Sequence, residues 1–560
     1  MFNHSIFSTA KYSSHLISRG LLFLISLLFF ASTRSLLLMA QQESDAIDQL
    51  FISIATDEPG CSCSFSKNGE VLFNKAYGLA NMETKTPLQP SSVLDAGSVV
   101  KQFVAASTLL LVEQGQLSLH TDIHEYLPEL PHYEHPVTLY HLLTHTSGIR
   151  DWTGIRMISA ADEDALTMVL RQKSLNFAPG EQWSYSNSGY VLLKEIVARV
   201  TGLTFGEFAS TYLFEPLGMK NTIYTQYPDK TSNLALAYEK GKSGWENAVL
   251  ENNDRGGGGA LMTTAPDLLL WTQALAQQKL GEFVTNNLLT PTRLNNGREL
   301  SYTKGLFVTS NELGKLIWHT GSAGGYKSLV GHLPAHGLSI AIMCNSGDQI
   351  NRTALAGRIF RLFAEPQTQS YPPGKEDVMV PEDILNTRSG WYIHKKDKNL
   401  LQLTVNKNRL AIVGGPMLSA KSNTHFINTR RNIEFRSEDQ FEIEFQPNGR
   451  FTLTSMEGQQ EIYVPVEPYR PAIDELSRYE GRYESKDLKA VFHIKATEKQ
   501  LVVYLEHAPM QRLPFSPVVK DMFVFRRMHI GWIRDDQGSI VALTYSNPVL
   551  KDVRFTRLNN

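Results

Sequence analysis

Cysteine is nearly missing from this chain: its 560 residues include three, Cys61, Cys63 and Cys344. That is too few for a disulfide-built scaffold, and the spacing is not that of a zinc site, so no metal centre is expected on cysteine. Cys61 and Cys63 stand two apart in a strand-like stretch, on one face, and cannot easily bridge each other. They read most simply as small buried hydrophobes, with a bridge from Cys344 to one of them left open. Residues 1–40 hold no cysteine, which excludes a lipid-acylated one there. A surplus of one charge sign is also absent. The net charge is −2 and basic residues form no long run, which argues against a nucleic-acid binder that works by phosphate neutralisation. The apolar run GLLFLISLLFFAS is short for a membrane span, and Arg34 interrupts its extension.

What is present is the composition of a soluble globular protein, 42% hydrophobic and 20% charged, with a length that calls for several domains. Lys11 and Arg19 precede the apolar run, and Ala40 precedes a polar sequence. This reads as a secretory signal over residues 1–40, with an uncleaved membrane anchor as the alternative. Residues 41–367 mix helix and strand signals. CSCSFSKNGEVLFNKAYG alternates around an Asn-Gly turn, a hairpin signature, and KQFVAASTLLLVEQGQL has helical spacing and stops at a glycine. KLIWHTG and LSIAIMCNS read as strands and NRTALAGRIFRLFAE as a closing helix. Strands at both ends with helices between predict one mixed domain whose sheet draws on distant parts of the chain.

A Pro-rich stretch, residues 368–382, reads as a linker. Beyond it the texture turns to short alternating strands, and the segment repeats. Leu385, Gly390, Tyr392, Leu403 and Leu410 match Leu476, Gly481, Tyr483, Ile494 and Leu501 at an offset of 91, and Gly449 and Phe451 match Gly538 and Ile540 at 89. Two small antiparallel barrels are therefore expected, over 383–470 and 471–560.

Three stretches of the mixed domain carry chemistry. In DAGSVVKQFVAAS, a turn at Asp95-Ala96-Gly97 leads into a helix, which puts Ser98 where free backbone N–H groups favour a developing oxyanion. Lys101 follows one turn later on the same face, among Val, Phe and Ala, where burial lowers an amine's pKa toward that of a usable base. In EQWSYSNSGYVLL, Tyr185 and Asn187 flank a residue in a polar turn before a helix; the phenol is suited to relay a proton, the amide to hold a substrate carbonyl. In IWHTGSAGGYKS, a strand delivers His319, Thr320 and Gly321 to a glycine-rich turn, where Gly321 would let a ligand backbone approach the strand edge.

Singly these signals are weak, but Ser-x-x-Lys, then Tyr-x-Asn 87 residues on, then His-Thr-Gly 134 further, form an ordered set. The chain resembles the penicillin-recognising serine hydrolases over about residues 41–365. TLYHLLTHTSGIRDW, RGGGGALMTTAPDLLLW and HTGSAGGYKSLVGHLP are similar to the class C β-lactamase-like branch, and the His-x-Gly motif resembles that of the D-aminopeptidases, a family that also carries two C-terminal lipocalin-like barrels.

The resemblance implies a β-lactamase/transpeptidase-like α/β (α+β) domain, an antiparallel sheet of five or more strands flanked by helices, followed by the two barrels. It implies Ser98 as acylated nucleophile, with Lys101 and Tyr185 sharing the acid and base work. Asn187, His319, Thr320 and Gly321 would hold substrate, and the backbone N–H of Ser322, with that of Ser98, would form the oxyanion hole. The expected substrate is a small peptide, ester or β-lactam, foremost an amide of a D-amino-acid peptide. An esterase or weak β-lactamase on the same site, or a non-catalytic peptide or β-lactam sensor, are the alternatives, and cell-envelope association fits an exported chain.

His319 stands where β-lactamases usually have lysine, which argues against efficient β-lactam hydrolysis. No cofactor or metal is expected: His141 and His145 are four apart but have no carboxylate to complete a ligand set, and GGGG at 256–259 is not followed by Lys-Ser or Lys-Thr. By the same resemblance one barrel loop, 414–425 or 506–520, is expected to reach the cleft and limit substrate entry.

Overall fold

The computed structural model describes residues 44–248, 259–365, 378–396, 399–428, 441–455 and 460–558. The expected leader, most of the expected linker and residues 256–258 of the glycine run lie outside these. The predicted hairpin forms: β1 (Cys61–Lys67) and β2 (Glu70–Tyr77) join through Asn68 and Gly69, both at positive φ (51° and 85°), the geometry a two-residue turn requires. Four later strands complete the sheet, β3 (Phe307–Asn311), β4 (Gly314–Ala323), β5 (Tyr326–Leu333) and β6 (Leu338–Cys344). The order is β3-β4-β5-β6-β1-β2, all antiparallel, so the two ends of the domain meet where β6 pairs with β1.

That pairing corrects the reading of the cysteines. Cys61 lies opposite Cys344 and the two form a disulfide across 283 residues, while Cys63 is the free, buried one. The constraint comes from sheet register, which is invisible in residue spacing.

Helices cover both faces of the sheet. On one side α1 (Val100–Glu113) and α3 (Ala265–Ala276) pack Phe103, Leu268 and Trp271 beside Val330 and Ala341. On the other, the helix over 44–51 and α4 (Arg352–Phe363) pack Phe51 and Phe360 beside Phe65 and Ile340. Helix α1 is buried around nearly its whole circumference, so even Lys101 and Gln102 on it are dehydrated. The Oε1 of Gln102 accepts from the Trp271 indole N–H at 2.7 Å. Helix α2 (Asn187–Thr201) packs on α1; Ser186 caps it, accepting from the Gly189 N–H, and Gly202 ends it at φ 71°.

The repeat is structural. Each copy opens with a short helix, Glu382–Arg388 and Ile473–Ser477, then a strand whose buried tyrosine reaches back four residues. Tyr392 Oη donates to the Arg388 carbonyl at 3.0 Å and Tyr483 Oη to that of Tyr479 at 3.1 Å. Gly390 pairs with Leu403, and Gly481 with Ile494, at the same place in the two registers. The second copy is a closed eight-stranded barrel; the first is an eight-stranded sheet whose end strands approach, with Leu418 N–H donating to the Leu410 carbonyl at 2.8 Å. The segment 506–520, expected as an irregular loop, is mostly one long strand, Ala508–Val519.

The second barrel is not a detached module. Ile155, Ile158 and Met168 of the mixed domain are buried in the same apolar cluster as barrel residues Tyr483, Phe492 and Leu550. A gap left there by removing the barrel would expose core rather than surface.

Candidate active site

Asp95, Ala96 and Gly97 shape the turn before α1. The Asp95 carboxylate accepts from the Gly97 N–H at 2.7 Å, and burial pushes its pKa up to about 6, partly offset by that bond. Ser98 sits half-buried in the single 3-10 turn, Gly97–Val99, that leads into the helix. Gly97, at φ 53°, could carry no side chain: a Cβ would lie 2.6 Å from the backbone nitrogen of Ser322 on β4. This close approach brings the Ser98 turn against the strand that ends the third motif.

Lys101 points back from α1 to Ser98. Its Nζ donates to Ser98 Oγ at 3.3 Å and to Asn187 Oδ1 at 2.9 Å, and it stands 4.7 Å from the centre of the Tyr185 ring. The residue is 4% exposed. Burial lowers the amine from its ordinary 10.5 to about 8, against an opposing pull from the Asp151 carboxylate. Tyr185 is pushed the other way: burial raises the phenol well above 10, and its hydrogen bond with Ser98 only partly opposes this. An amine that gives up its proton near pH 8 and a neutral phenol therefore meet at the serine hydroxyl.

The Tyr185–Asn187 turn is held from below by His145, whose Nδ1 accepts from the Ser186 N–H at 3.1 Å while its ring packs 4.3 Å from that of Tyr185. Burial, then the charge of Lys101, keeps this imidazole far below its ordinary pKa. His141 is used elsewhere; its Nδ1 accepts from the Thr138 N–H at 3.2 Å in a capping box. The two imidazoles serve backbone groups in different elements, a structural use for the pair.

His319 shares the floor of the site. It is 2% exposed, its ring centre is 6.3 Å from that of Tyr185, and its Nδ1 donates to the Thr320 carbonyl at 2.6 Å. Burial and the nearby Lys101 push it down to about 3, so it supplies no positive charge. Gly321 on β4 also serves a contact within the chain. A Cβ there would lie 1.9 Å from the carbonyl oxygen of Ala96, so this chain's own nucleophile turn occupies that space. Thr320 is half-buried and Ser322 exposed, on the opposite face of β4 from His319.

Three contributors lie outside the three motifs. Asp151 caps the helix Trp152–Arg156 through the Thr153 N–H at 2.9 Å and also accepts from the backbone N–H of Asn187. His145 is the second. The third is Arg352 of α4, whose Nη2 donates to Ser322 Oγ at 3.3 Å, a cation by the strand where His319 offers none. Only Asp151 had a visible cue, an aspartate ahead of a short helical stretch in GIRDW.

Next to Tyr185, residues Asn176, Trp183 and Ser184 form one wall of a cavity of about 1890 Å³. Its other walls are Gly414–Met417 and Lys421 of the first barrel and Arg526, Arg527 and Asn547–Lys551 of the second. Of the two loops expected near the cleft, 414–425 thus reaches this junction, while 506–520 contributes nothing to its lining.

Residues 47–361 match the family described as Beta-lactamase. The chain belongs to the beta-lactamase family. This beta-lactamase-family chain is 27% identical over 398 residues to penicillin-binding protein 4* of Bacillus subtilis, covering 66% of itself and 88% of that protein. It is also 27% identical over 329 residues to the D-aminopeptidase of Gluconobacter oxydans, covering 56% of this chain and 61% of that one. Among solved structures it is similar to the octameric penicillin-binding protein homologue from Pyrococcus abyssi, with a TM-score of 0.50, 22% identity, and 76% and 99% of the two chains covered. Membership makes it a serine hydrolase, with the two barrel-like sheets appended.

Proposed function

We propose that the protein is an exported hydrolase that cleaves amide bonds of D-amino-acid-containing peptides through an acyl-enzyme on Ser98. The observation that carries this is Lys101: a buried amine, poised at about 8, bonded at once to the nucleophile's oxygen and to Asn187. Ser98 Oγ attacks the amide carbon and its proton passes to Lys101 Nζ. The electron pair displaced onto the carbonyl oxygen is met by the backbone N–H groups of Ser98 and Ser322, which the Gly97 contact brings close. Collapse breaks the C–N bond, and the leaving amine takes its proton from Lys101 by way of Tyr185. Water then attacks the ester, passes a proton back through the same pair, and frees Ser98 with release of the acid.

Support for the substrate class comes from the likeness to the D-aminopeptidase of Gluconobacter oxydans and from the uncharged imidazole at 319. A neutral, buried imidazole there gives a substrate carboxylate no charge, which leaves Arg352 beside Ser322 as the cation on that side and keeps an esterase as the second reading. Export is supported by the basic-then-apolar leader and by the Cys61–Cys344 disulfide, a bond that persists in oxidising compartments. Turnover of D-alanine p-nitroanilide against its L-enantiomer and p-nitrophenyl acetate, with the adduct of a fluorophosphonate located by mass spectrometry, tests the reading. Preference for the D-amide and a single adduct on Ser98 are expected; ester turnover alone would establish the esterase, and no adduct on Ser98 would overturn both.

A further inference from the structure

Of the contacts between the mixed domain and the second barrel, one group converges on the catalytic turn. Asn176 and the barrel hairpin exchange hydrogen bonds: Asn176 Nδ2 donates to the Val549 carbonyl at 2.9 Å, and the Lys551 N–H donates to Asn176 Oδ1 at 2.8 Å. Arg150 Nη2 donates to the Lys551 carbonyl at 3.3 Å and lies 3.8 Å from Asp487. The Asp487 carbonyl takes hydrogen bonds from Gln172 Nε2 at 2.8 Å and Arg171 Nε at 2.9 Å. The backbone of Asp151 is drawn to the Val549 carbonyl at 3.5 Å. Gly154 allows the approach: a Cβ there would lie 2.5 Å from the Val549 side chain.

From the other side of the same residue, the Asp151 carboxylate accepts from the Asn187 N–H, and Asn187 Oδ1 accepts from Lys101 Nζ. Asp151 is 2% exposed and Arg150 4%, so neither contact is exchanged with water. A path of direct bonds therefore runs from the barrel hairpin 547–551 through Asp151 and Asn187 to the amine beside Ser98.

We propose that Asp151 is a positioning residue, held in place by the second barrel, which sets Asn187 and the amine of Lys101 for attack, so that the barrel completes the active site rather than accompanying it. This rests on the Ser98–Lys101 reading above. The barrel holds the Arg150 side chain and the Asp151 N–H, and the Asp151 carboxylate holds the first residue of α2. It also contributes a negative charge that favours the protonated form of Lys101. Facing Lys101 of α1 are Tyr185 and His145 from around the catalytic turn, His319 from β4, and Tyr190 and Lys194 from α2; Arg150 stands beside Asp151, with Tyr133, Asp487 and Asp552 facing it.

The test uses the full chain. Asp151→Asn keeps an acceptor for the Asn187 N–H and removes the charge; Asp151→Ala removes both; Asn176→Ala opens the barrel latch without touching the site. The readouts are the fluorophosphonate acylation rate of Ser98 and kcat and KM for D-alanine p-nitroanilide, each against pH. For Asp151→Asn the acid limb should move to lower pH, because the neutral amine appears sooner once the carboxylate charge is gone. Asp151→Ala should lose on the order of 10²-fold in kcat with a smaller change in KM, the scale of a displaced catalytic group. Asn176→Ala should lower kcat and shift the acid limb in the same direction as Asp151→Asn. A superimposable pH profile for Asp151→Asn, or unchanged kcat in Asn176→Ala, overturns the proposal. Since acylation is read separately, failure of the peptide substrate alone would count against the substrate reading and not against this one. If Asp151→Ala does not fold, the isosteric Asp151→Asn decides.

Discussion

Replacing Lys101 with methionine should destroy activity and stabilise the protein. The amine is held at about 8 against an ordinary 10.5 because burial penalises the ammonium. Below pH 8 the folded protein must carry a charged group where a neutral one is preferred, and that gap corresponds to about 3 kcal/mol. The sign follows from the direction: a lysine lowered on folding costs stability fully below its folded pKa, and the cost fades as pH rises from about 8 to 10.5. Methionine removes the charge at nearly constant volume but leaves Asn187 Oδ1 without the Lys101 donor, a loss of about 1 kcal/mol. The net expectation is a gain of about 2 kcal/mol at pH 7 that disappears, and turns into a slight loss, near pH 10.5. Chemical denaturation of both proteins at the two pH values measures it, and the pH dependence isolates the charge from the packing change. Activity should fall about 10²-fold or more, the usual scale for removing a general base. A variant less stable than wild type at pH 7, or a difference that does not change with pH, would refute the argument that Lys101 is a desolvated base.

Ser98→Ala should abolish covalent labelling with the fold intact; an adduct on another serine, seen by mass spectrometry, would refute the assignment. Arg352→Gln should weaken reaction with carboxylate-bearing β-lactams relative to neutral esters, whereas His319→Gln should leave that ratio unchanged, because the imidazole is buried and uncharged. A shift in the ratio for His319→Gln alone would reverse these roles. Truncation after Glu365 should yield an aggregating fragment rather than a soluble enzyme of broader specificity, since Ile155, Ile158 and Met168 lose their barrel partners. Recovery of a monodisperse, active fragment by size exclusion would contradict this. Ile155→Ala in the full chain should cost about 2–4 kcal/mol by denaturation, as a cavity in a shared core does.

Local patterning carried most of the architecture. The hairpin at Asn68-Gly69 needs only two residues that tolerate positive φ. The one-turn spacing of Ser98 and Lys101 follows from helical geometry, and the apolar neighbours of Lys101 already imply its lowered pKa. The barrel repeat was legible because both copies need the same buried positions, Leu385 with Leu476 and Tyr392 with Tyr483, in the same register.

What residue order could not reveal is whatever depends on segments that meet only after folding. The Cys61–Cys344 bond exists because β6 returns to pair with β1 in one register among several that the alternation allows. Gly321 was legible as a small residue beside the site, but not that Ala96 would fill the space it leaves. Asp151 and Arg352 belong to no spacing rule, since each reaches the site across a tertiary contact, from a capped turn and from the closing helix. The dependence of Asp151 on a hairpin about 400 residues later in the chain is of the same kind. Periodicity and turn chemistry act over a few residues and can be read along the chain; register, burial and charge proximity are properties of distance in space, and chain order does not encode them directly.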